Sequence, residues 1–247
     1  MDLICKMNIF NISSETNTLV IRINTDKGNV FNLRAIEELI RIFEDIENDD
    51  NIHAVIITGE RTVFSIGGDL EYIKSFNNYA EVDQFFKKMD YLLLKLFSFE
   101  KILISAINGH CIGLGFLIAL CSDYIICFDN KKIKFGLPES KIGMVLDKLM
   151  LDILKFNNLS GRKLNEIILN GELFNVDMFN EFVKPLKVSE LDNLMKVSLD
   201  LIMKIDTNVT LRSFKLNKSL IRHDSISSIN QHNVDESYLV YRQCFNF

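Results

Sequence analysis

The chain has 247 residues, of which 48% are hydrophobic, and this combination supports one well-packed core with room for a small appendage. Its formal net charge of −5 argues against partners that need a basic surface, such as nucleic acid or an anionic membrane. The five cysteines form no CxxC pair and mostly lie in apolar runs, which is typical of buried free thiols in a reducing compartment.

Strand-like and helix-like segments alternate over the first two thirds of the chain. Short apolar runs bounded by turn residues predict buried strands, and apolar residues at helical spacing predict amphipathic helices. The sequence DKGN at residues 26–29 predicts a turn. The order of the elements predicts βαβ units and a mostly parallel sheet of the α/β class. The predicted strands are 19–23, 54–57, 102–107 and 124–128, and the predicted helices are 33–46, 82–97, 116–120 and 148–156.

The pattern changes near Val188, because no strand-like run follows it. We therefore predict an α/β core over residues 1–188 and a helical C-terminal region over residues 189–247. This tail is apolar but too small to enclose a core of its own, so it must pack on the main body or on another subunit. Both arrangements fit the sequence equally well. The predicted tail helices are 191–205, 209–221 and 234–245.

Two glycine turns are the segments most suggestive of chemistry. The sequence FSIGGDL at residues 64–70 follows the second predicted strand, and INGHCIGLG at residues 107–115 joins the third to a helix. A glycine turn of this kind leaves backbone N–H groups free at a helix N-terminus. Two such groups from separate turns can form an oxyanion hole for a thioester carbonyl that becomes an enolate. Either turn alone is equally consistent with close packing of backbone segments.

Taken together with the sequence KFGLPE at residues 134–139, these turns resemble the motifs of the crotonase family, the enoyl-CoA hydratases and isomerases. The resemblance runs from about Thr18 to Val183. It implies a crotonase-type spiral of ββα units with a helical C-terminal tail, acting in fatty acid metabolism. It also implies an acyl-CoA or acyl-carrier-protein thioester as substrate, no cofactor, no metal, and assembly into a homotrimer or homohexamer through the tail.

The resemblance assigns roles to individual positions. Gly68 would donate the first oxyanion N–H, and Leu114 falls where the family usually has a glycine as the second donor. The hydratases carry two catalytic glutamates, and here the first position is Leu117 whereas the second, Glu139, is intact. Leu114 can still serve, because the donor is a backbone N–H, but its Cβ narrows the pocket.

Further side chains are predicted to bind the substrate. These are Ile66, Asp69, Leu117 and Asp147, and for Asp147 capping of the helix that follows it is the alternative.

The single retained glutamate favours isomerisation over hydration. Hydration of an enoyl thioester needs a water held by two carboxylates, whereas moving a double bond needs one base that takes and returns a proton. An apolar side chain at Leu117 would exclude water and raise the pKa of Glu139 by desolvation. The pattern resembles the single-glutamate Δ3-Δ2-enoyl-CoA isomerases. We therefore expect an isomerase that converts 3-enoyl to 2-enoyl thioesters.

Two other functions stay open at this point. One is a decarboxylase or dehydratase of a polyketide-type pathway, acting on acyl chains linked to CoA or a carrier protein. The other is a catalytically silent binding subunit with the same fold, which the leucines at positions 114 and 117 motivate.

The remaining titratable residues suggest no second site. His110 and Cys111 are expected to be structural, and His53, His223 and His232 lack the spacing of metal ligands. No apolar run reaches the ~18 residues of a membrane span, and the N-terminus shows no signal-peptide pattern. We therefore expect a cytoplasmic protein.

Overall fold

The structure is a computed structural model that describes residues 9–208, 210–231 and 238–247. Nine strands lie in these ranges, four of them shorter than any that the sequence predicts. In chain order they are β1 (Phe10–Glu15), β2 (Thr18–Ile23), β3 (Ala54–Gly59), β4 (Val63–Ser65), β5 (Ile102–Ile107), β6 (His110–Ile112), β7 (Tyr124–Phe128), β8 (Phe135–Gly136) and β9 (Leu186–Val188).

The strands form two sheets. The larger has the order β1-β2-β3-β5-β7-β9, and all its pairings are parallel except that of β1 with β2. The smaller is the parallel set β4-β6-β8. Every residue of β3 and β5 is buried, as is usual for strands covered on both faces. The prediction of a mostly parallel sheet is confirmed.

The helices between the strands confirm most of the predicted segments. Asn32 caps the first long helix by accepting a hydrogen bond from the Ala35 N–H at 3.0 Å, and Asn78 caps the next long one. The predicted turn at 26–29 is a single helical turn instead. The helices are α1 (Asp26–Asn29), α2 (Leu33–Glu47), α3 (Leu70–Lys74), α4 (Tyr79–Ser98), α5 (Leu114–Leu120), α6 (Lys148–Phe156), α7 (Gly161–Asn170) and α8 (Val176–Phe182), with a 3₁₀ helix at Glu139–Ile142.

The tail contains two long helices and a 3₁₀ helix. These are α9 (Asn193–Asn208), α10 (Leu211–Gln231) and Tyr238–Cys244. The last was predicted as part of an α-helix. Residues 234–237 of that prediction, together with Val209, Cys5 and His232, lie outside the described residues.

The large sheet buries a hydrophobic layer on each face. One face packs on α2, α4 and α5 in the main core. The opposite face packs on apolar residues of α9, among them Leu194 and Ile202. The tail of this chain therefore covers its own sheet, which is one of the two arrangements that the sequence allowed. The division at Val188 and the oligomeric state stay predictions.

A buried ionic cluster holds α10 against the main body. The Asp123 carboxylate accepts hydrogen bonds from Lys218 Nζ at 2.7 Å and from the Arg222 guanidinium at 2.9 Å. It also accepts one from the Leu103 N–H at 2.8 Å, and all three charged side chains are almost inaccessible to solvent. The Arg222 guanidinium additionally lies over the Phe97 ring, 4.7 Å from its centroid.

None of the described helices combines the length and apolarity that a bilayer span requires.

Removing the shared carboxylate should destabilise the fold strongly. Asp123→Ala leaves two buried cations without their partner, so we expect the free energy of unfolding to fall by about 3–5 kcal/mol in urea titrations. Asp129→Ala is the matched control, because it breaks a far more exposed pair with Lys187 and should cost below about 1 kcal/mol. Equal, small losses in both variants would show that the buried cluster does not hold α10 in place.

Candidate active site

The two glycine turns meet because the strands before them are neighbours. β4 pairs with β6 in the small sheet, so the turns that follow them lie side by side. A Cβ atom on Gly67 would stand 3.2 Å from the Leu114 nitrogen and 3.3 Å from the Gly113 Cα. Gly67 and Gly113 have φ values of +101° and +57°, which side chains rarely permit. Glycine is therefore required at both positions, by conformation and by contact.

Two backbone N–H groups at this contact are free. The Phe31 N–H donates to the Gly67 carbonyl at 2.9 Å, and the Gly113 N–H donates to the Gly136 carbonyl at 2.9 Å, so the flanking backbone is fixed. In contrast, the N–H groups of Gly68 and Leu114 have no acceptor among the described residues. Both residues line the same cavity. Two fixed, unused donors at one cavity are what an oxyanion hole requires.

Two asparagines hold the loop that leads into the first turn. Asn29 Nδ2 donates to the Val63 carbonyl at 2.8 Å, and Asn108 Nδ2 donates to the Arg61 carbonyl at 2.9 Å. Asn108 Oδ1 also accepts from the Gly59 N–H at 3.1 Å. Neither asparagine side chain was predicted to have a role. The one feature of the sequence that could have indicated a role is that each asparagine is adjacent to a glycine at a turn.

The cavity has a volume of about 110 Å³ and is almost entirely apolar. Its inner part is buried, whereas at its mouth Ile66, Leu70 and Ile142 are each more than 40% exposed. The lining residues are Ile66, Gly68, Leu70, Ile73, Phe85, Phe86, Met89, Gly113, Leu114, Leu117, Pro138, Glu139, Ile142, Met144, Val145, Met150 and Tyr241.

Glu139 supplies the only carboxyl group among these lining residues. It begins the 3₁₀ helix after Pro138, and its Oε1 lies 3.1 Å from where a Cβ on Gly113 would stand. Its Oε2 is inaccessible to solvent and has no hydrogen-bond partner among the described residues. Burial raises the pKa of Glu139 to about 7. A carboxyl group with this pKa can both accept and return a proton near neutral pH.

The predicted apolar residues also lie at the cavity. Leu114 and Leu117 are the first and fourth residues of α5, so they point from adjacent turns of the helix, and both are buried in the wall. Leu117 is 1% exposed. Ile66 lies at the mouth. No second carboxyl lines the wall beside Leu117 in the described structure.

The two predicted aspartates cap helices. Asp69 accepts hydrogen bonds from the N–H groups of Glu71 and Tyr72 at the start of α3. Asp147 accepts one from the Met150 N–H at 2.9 Å at the start of α6. Neither is among the residues that line the cavity. Capping accounts for both side chains, and substrate contact by either stays a prediction.

The other residues that the sequence singled out lie away from the cavity. His110 Nδ1 accepts a hydrogen bond from the Lys134 N–H at 3.1 Å. Cys111 is buried, and burial raises its thiol pKa well above the ordinary value, which makes it unreactive. Within the described ranges, no three His, Cys, Asp or Glu side chains are grouped as metal ligands.

Much of the cavity wall comes from residues that the sequence did not single out. Phe85, Phe86 and Met89 come from α4, and Tyr241 comes from the 3₁₀ helix near the C-terminus. Their apolar spacing indicated only that they belong to a core.

The chain is similar in sequence to known proteins of one family. A family model for enoyl-CoA hydratase/isomerase matches residues 13–243. Mouse mitochondrial enoyl-CoA delta isomerase 1 is 35% identical over 158 residues, which cover 63% of this chain and 53% of the relative. Carnitinyl-CoA dehydratase of Escherichia coli is 34% identical over 131 residues, covering 52% and 48%. The chain therefore aligns with about half the length of these curated relatives.

The fold matches a solved structure over nearly the whole chain. Human mitochondrial delta3-delta2-enoyl-CoA isomerase superposes with a TM-score of 0.86 and 24% identity, covering 94% of this chain and 90% of that one. The expected crotonase-type fold is confirmed.

Substitution of Gly113 should destabilise the protein, because this residue lies where the two turns are in contact. Gly113→Ala forces a side chain into a glycine conformation and places its Cβ 3.1 Å from Glu139 Oε1, so we expect a loss of about 2–3 kcal/mol in stability. Gly143→Ala is the control, since Gly143 also has a positive φ but its Cβ would meet nothing within 4 Å. It should lose about 1 kcal/mol in the same denaturant titration. Equal losses would contradict a site built by contact between the turns.

Proposed function

The chain belongs to the enoyl-CoA hydratase/isomerase family, and from that membership we propose that it is an acyl-thioester isomerase that converts a 3-enoyl to a 2-enoyl group. The observation that carries this proposal is the single carboxyl group, Glu139, in an otherwise apolar cavity beside two free backbone donors. The similarity to an enoyl-CoA delta isomerase supports the same assignment.

Glu139 is proposed as the base. As a carboxylate it takes a proton from C2 of the 3-enoyl thioester, and the electron pair moves into the thioester to give a dienolate. The same carboxyl group then returns the proton to C4, which leaves the double bond between C2 and C3. With a pKa of about 7, Glu139 is near the best compromise between a base that is ionised and an acid that can give the proton back.

The free N–H groups of Gly68 and Leu114 are proposed to bind the thioester oxygen. That oxygen gains negative charge only as the dienolate forms, so donors held in place beforehand stabilise the transition state more than the ground state. Their flanking backbone is already hydrogen-bonded, so binding the substrate requires no rearrangement of the turns. Leu114 can donate as well as a glycine because only its main chain takes part.

Leu117 is proposed to suppress hydration. Adding water across the double bond requires a second group that holds and activates the water, and the wall at this position offers only a buried aliphatic side chain. The same apolar wall keeps water from the dienolate and from Glu139, which strengthens the electrostatic interactions at the site.

Replacement of the base should abolish turnover without abolishing binding. We expect Glu139→Gln to lower kcat for a 3-enoyl-CoA by about 10²–10⁴, because glutamine keeps the shape but cannot accept the proton. Acyl-CoA affinity should change little. In the unmodified protein, kcat/KM should rise with pH up to about 7, because Glu139 must be deprotonated to act, and level off above it.

Asp147→Asn serves as the control for that experiment, since asparagine caps helices as well as aspartate does. It should retain turnover. Loss of turnover in Asp147→Asn together with an active Glu139→Gln would contradict the assignment of Glu139 as the base.

The preference for isomerisation over hydration should depend on the side chain at position 117. The unmodified protein should isomerise a 3-enoyl-CoA and hydrate crotonyl-CoA only slowly. Both reactions are measured by the absorbance of the conjugated 2-enoyl thioester, which isomerisation forms and hydration removes. Leu117→Glu places a second carboxyl group in the cavity wall and should raise hydration, whereas Leu117→Gln, of similar size, should not. Hydration by the unmodified protein that equals or exceeds isomerisation would contradict the single-base proposal.

A further inference from the structure

We propose that Phe86 and Tyr241 form the closed inner end of the acyl pocket and limit the length of the unbranched hydrocarbon chain that this site accepts. The inference rests on the proposed function, because it assumes that the cavity beside Glu139 holds an acyl chain.

The cavity changes in exposure from one end to the other. Ile66, Leu70 and Ile142 at the mouth are 42%, 41% and 47% exposed, whereas Phe86 and Tyr241 are 3% and 1% exposed. Solvent therefore reaches one end only. A thioester whose oxygen lies at the glycine turns has its large carrier group at the open end and its acyl chain toward the buried aromatic rings.

The inner end is a rigid wall. The rings of Phe86 and Tyr241 stack with their centroids 3.9 Å apart and their planes 13° from parallel. The Phe85 ring packs edge-on against Phe86 at 5.1 Å, and the Tyr241 hydroxyl lies 3.5 Å from Met150 Sδ. Rings stacked at this distance are in van der Waals contact, so no hydrocarbon chain can pass between them.

The segment that carries Tyr241 is held in place by the residues that follow it. Arg242 Nε donates to Asp83 Oδ1 at 2.7 Å on α4, and the guanidinium lies over the Tyr79 ring, 5.5 Å from its centroid. Phe245 then packs against Phe76, with ring centroids 6.0 Å apart. The C-terminal segment thus contributes a side chain to the site and is anchored to the helix that supplies the rest of the wall.

The far side of the wall is unsuited to a hydrocarbon. Asp90 and Asp147 are 1% and 4% exposed, and both lie close enough to act electrostatically on the Tyr241 hydroxyl. Burial, reinforced by these carboxyl groups, raises the pKa of Tyr241 well above its ordinary value. An apolar chain that displaced the ring would disturb buried polar groups, which is unfavourable.

The lining also defines the chemistry of the chain. Apart from Glu139 and Tyr241, no residue with a polar side chain lines the cavity in the described structure. A chain with its own hydroxyl, carboxyl or ammonium group would have to bury that group without a partner. The site therefore fits a plain aliphatic acyl chain.

Binding of saturated acyl-CoAs, which cannot react, tests the wall by calorimetry. With butanoyl- to dodecanoyl-CoA, affinity should rise about fourfold for each methylene buried, until the chain meets the wall and the rise stops. The chain length at which affinity stops rising is called the break. Phe86→Ala and the milder Tyr241→Leu should move this break to longer chains. Met89→Phe adds a ring to the lining and should move it to shorter ones.

Two controls separate the wall from general effects on the core. Tyr241→Phe keeps the ring and should leave the break where it is. Phe97→Ala removes a buried ring from the same helix outside the cavity, and it should also leave the break unmoved.

The inference is overturned if Phe86→Ala, Tyr241→Leu and Met89→Phe all show the same break as the unmodified protein. It is also overturned if affinity rises evenly to dodecanoyl-CoA. If the break moves as expected but the unmodified protein isomerises no 3-enoyl-CoA, the pocket stands and the proposed reaction fails. If no acyl-CoA binds, both fail together.

Discussion

Contact between two backbone turns is the constraint on which the site depends. Gly67 and Gly113 approach so closely that a Cβ on either would stand 3.2–3.4 Å from the backbone of the other turn. Pairing of β4 with β6 brings the turns together, and the asparagines at positions 29 and 108 fix the loop before the first of them. With the turns in contact, two N–H groups are left free at one cavity and the Glu139 carboxyl lies directly beside Gly113.

The second determinant of the site is the apolar lining of the cavity. A carboxyl group with an oxygen that is buried and unpaired is unfavourable for folding, and burial raises its pKa so that it is partly protonated at neutral pH. The large sheet, covered on both faces, supplies the stability that tolerates this. Leu117 and the Phe86–Tyr241 stack form part of the apolar wall of the same cavity. One apolar wall thus raises the pKa of the proposed base and, under the proposed function, also limits the shape of its substrate.

Local signals in the sequence were sufficient for much of this account. The continuous apolar runs at 54–57 and 102–107 became β3 and β5, and the glycine turns and Glu139 meet as the family resemblance implied. Residues that act over long sequence distances gave no such signal. Nothing in the sequence separates Tyr241 from other tail residues, although it lines the cavity beside α4. Likewise, nothing in the sequence pairs Lys218 and Arg222 with Asp123. Periodicity reports which residues are buried, but it does not report what they are buried against.

The most direct test of a single buried base is the fate of the proton it moves. A 3-enoyl-CoA carrying deuterium at both C2 positions would be converted in ordinary water in a single turnover, and the product examined by mass spectrometry and NMR. Because Glu139 Oε2 has no contact with solvent, the deuterium that it takes from C2 should appear in part at C4 of the 2-enoyl product. A product whose new C4 hydrogen comes entirely from water would contradict transfer by one shielded carboxyl group.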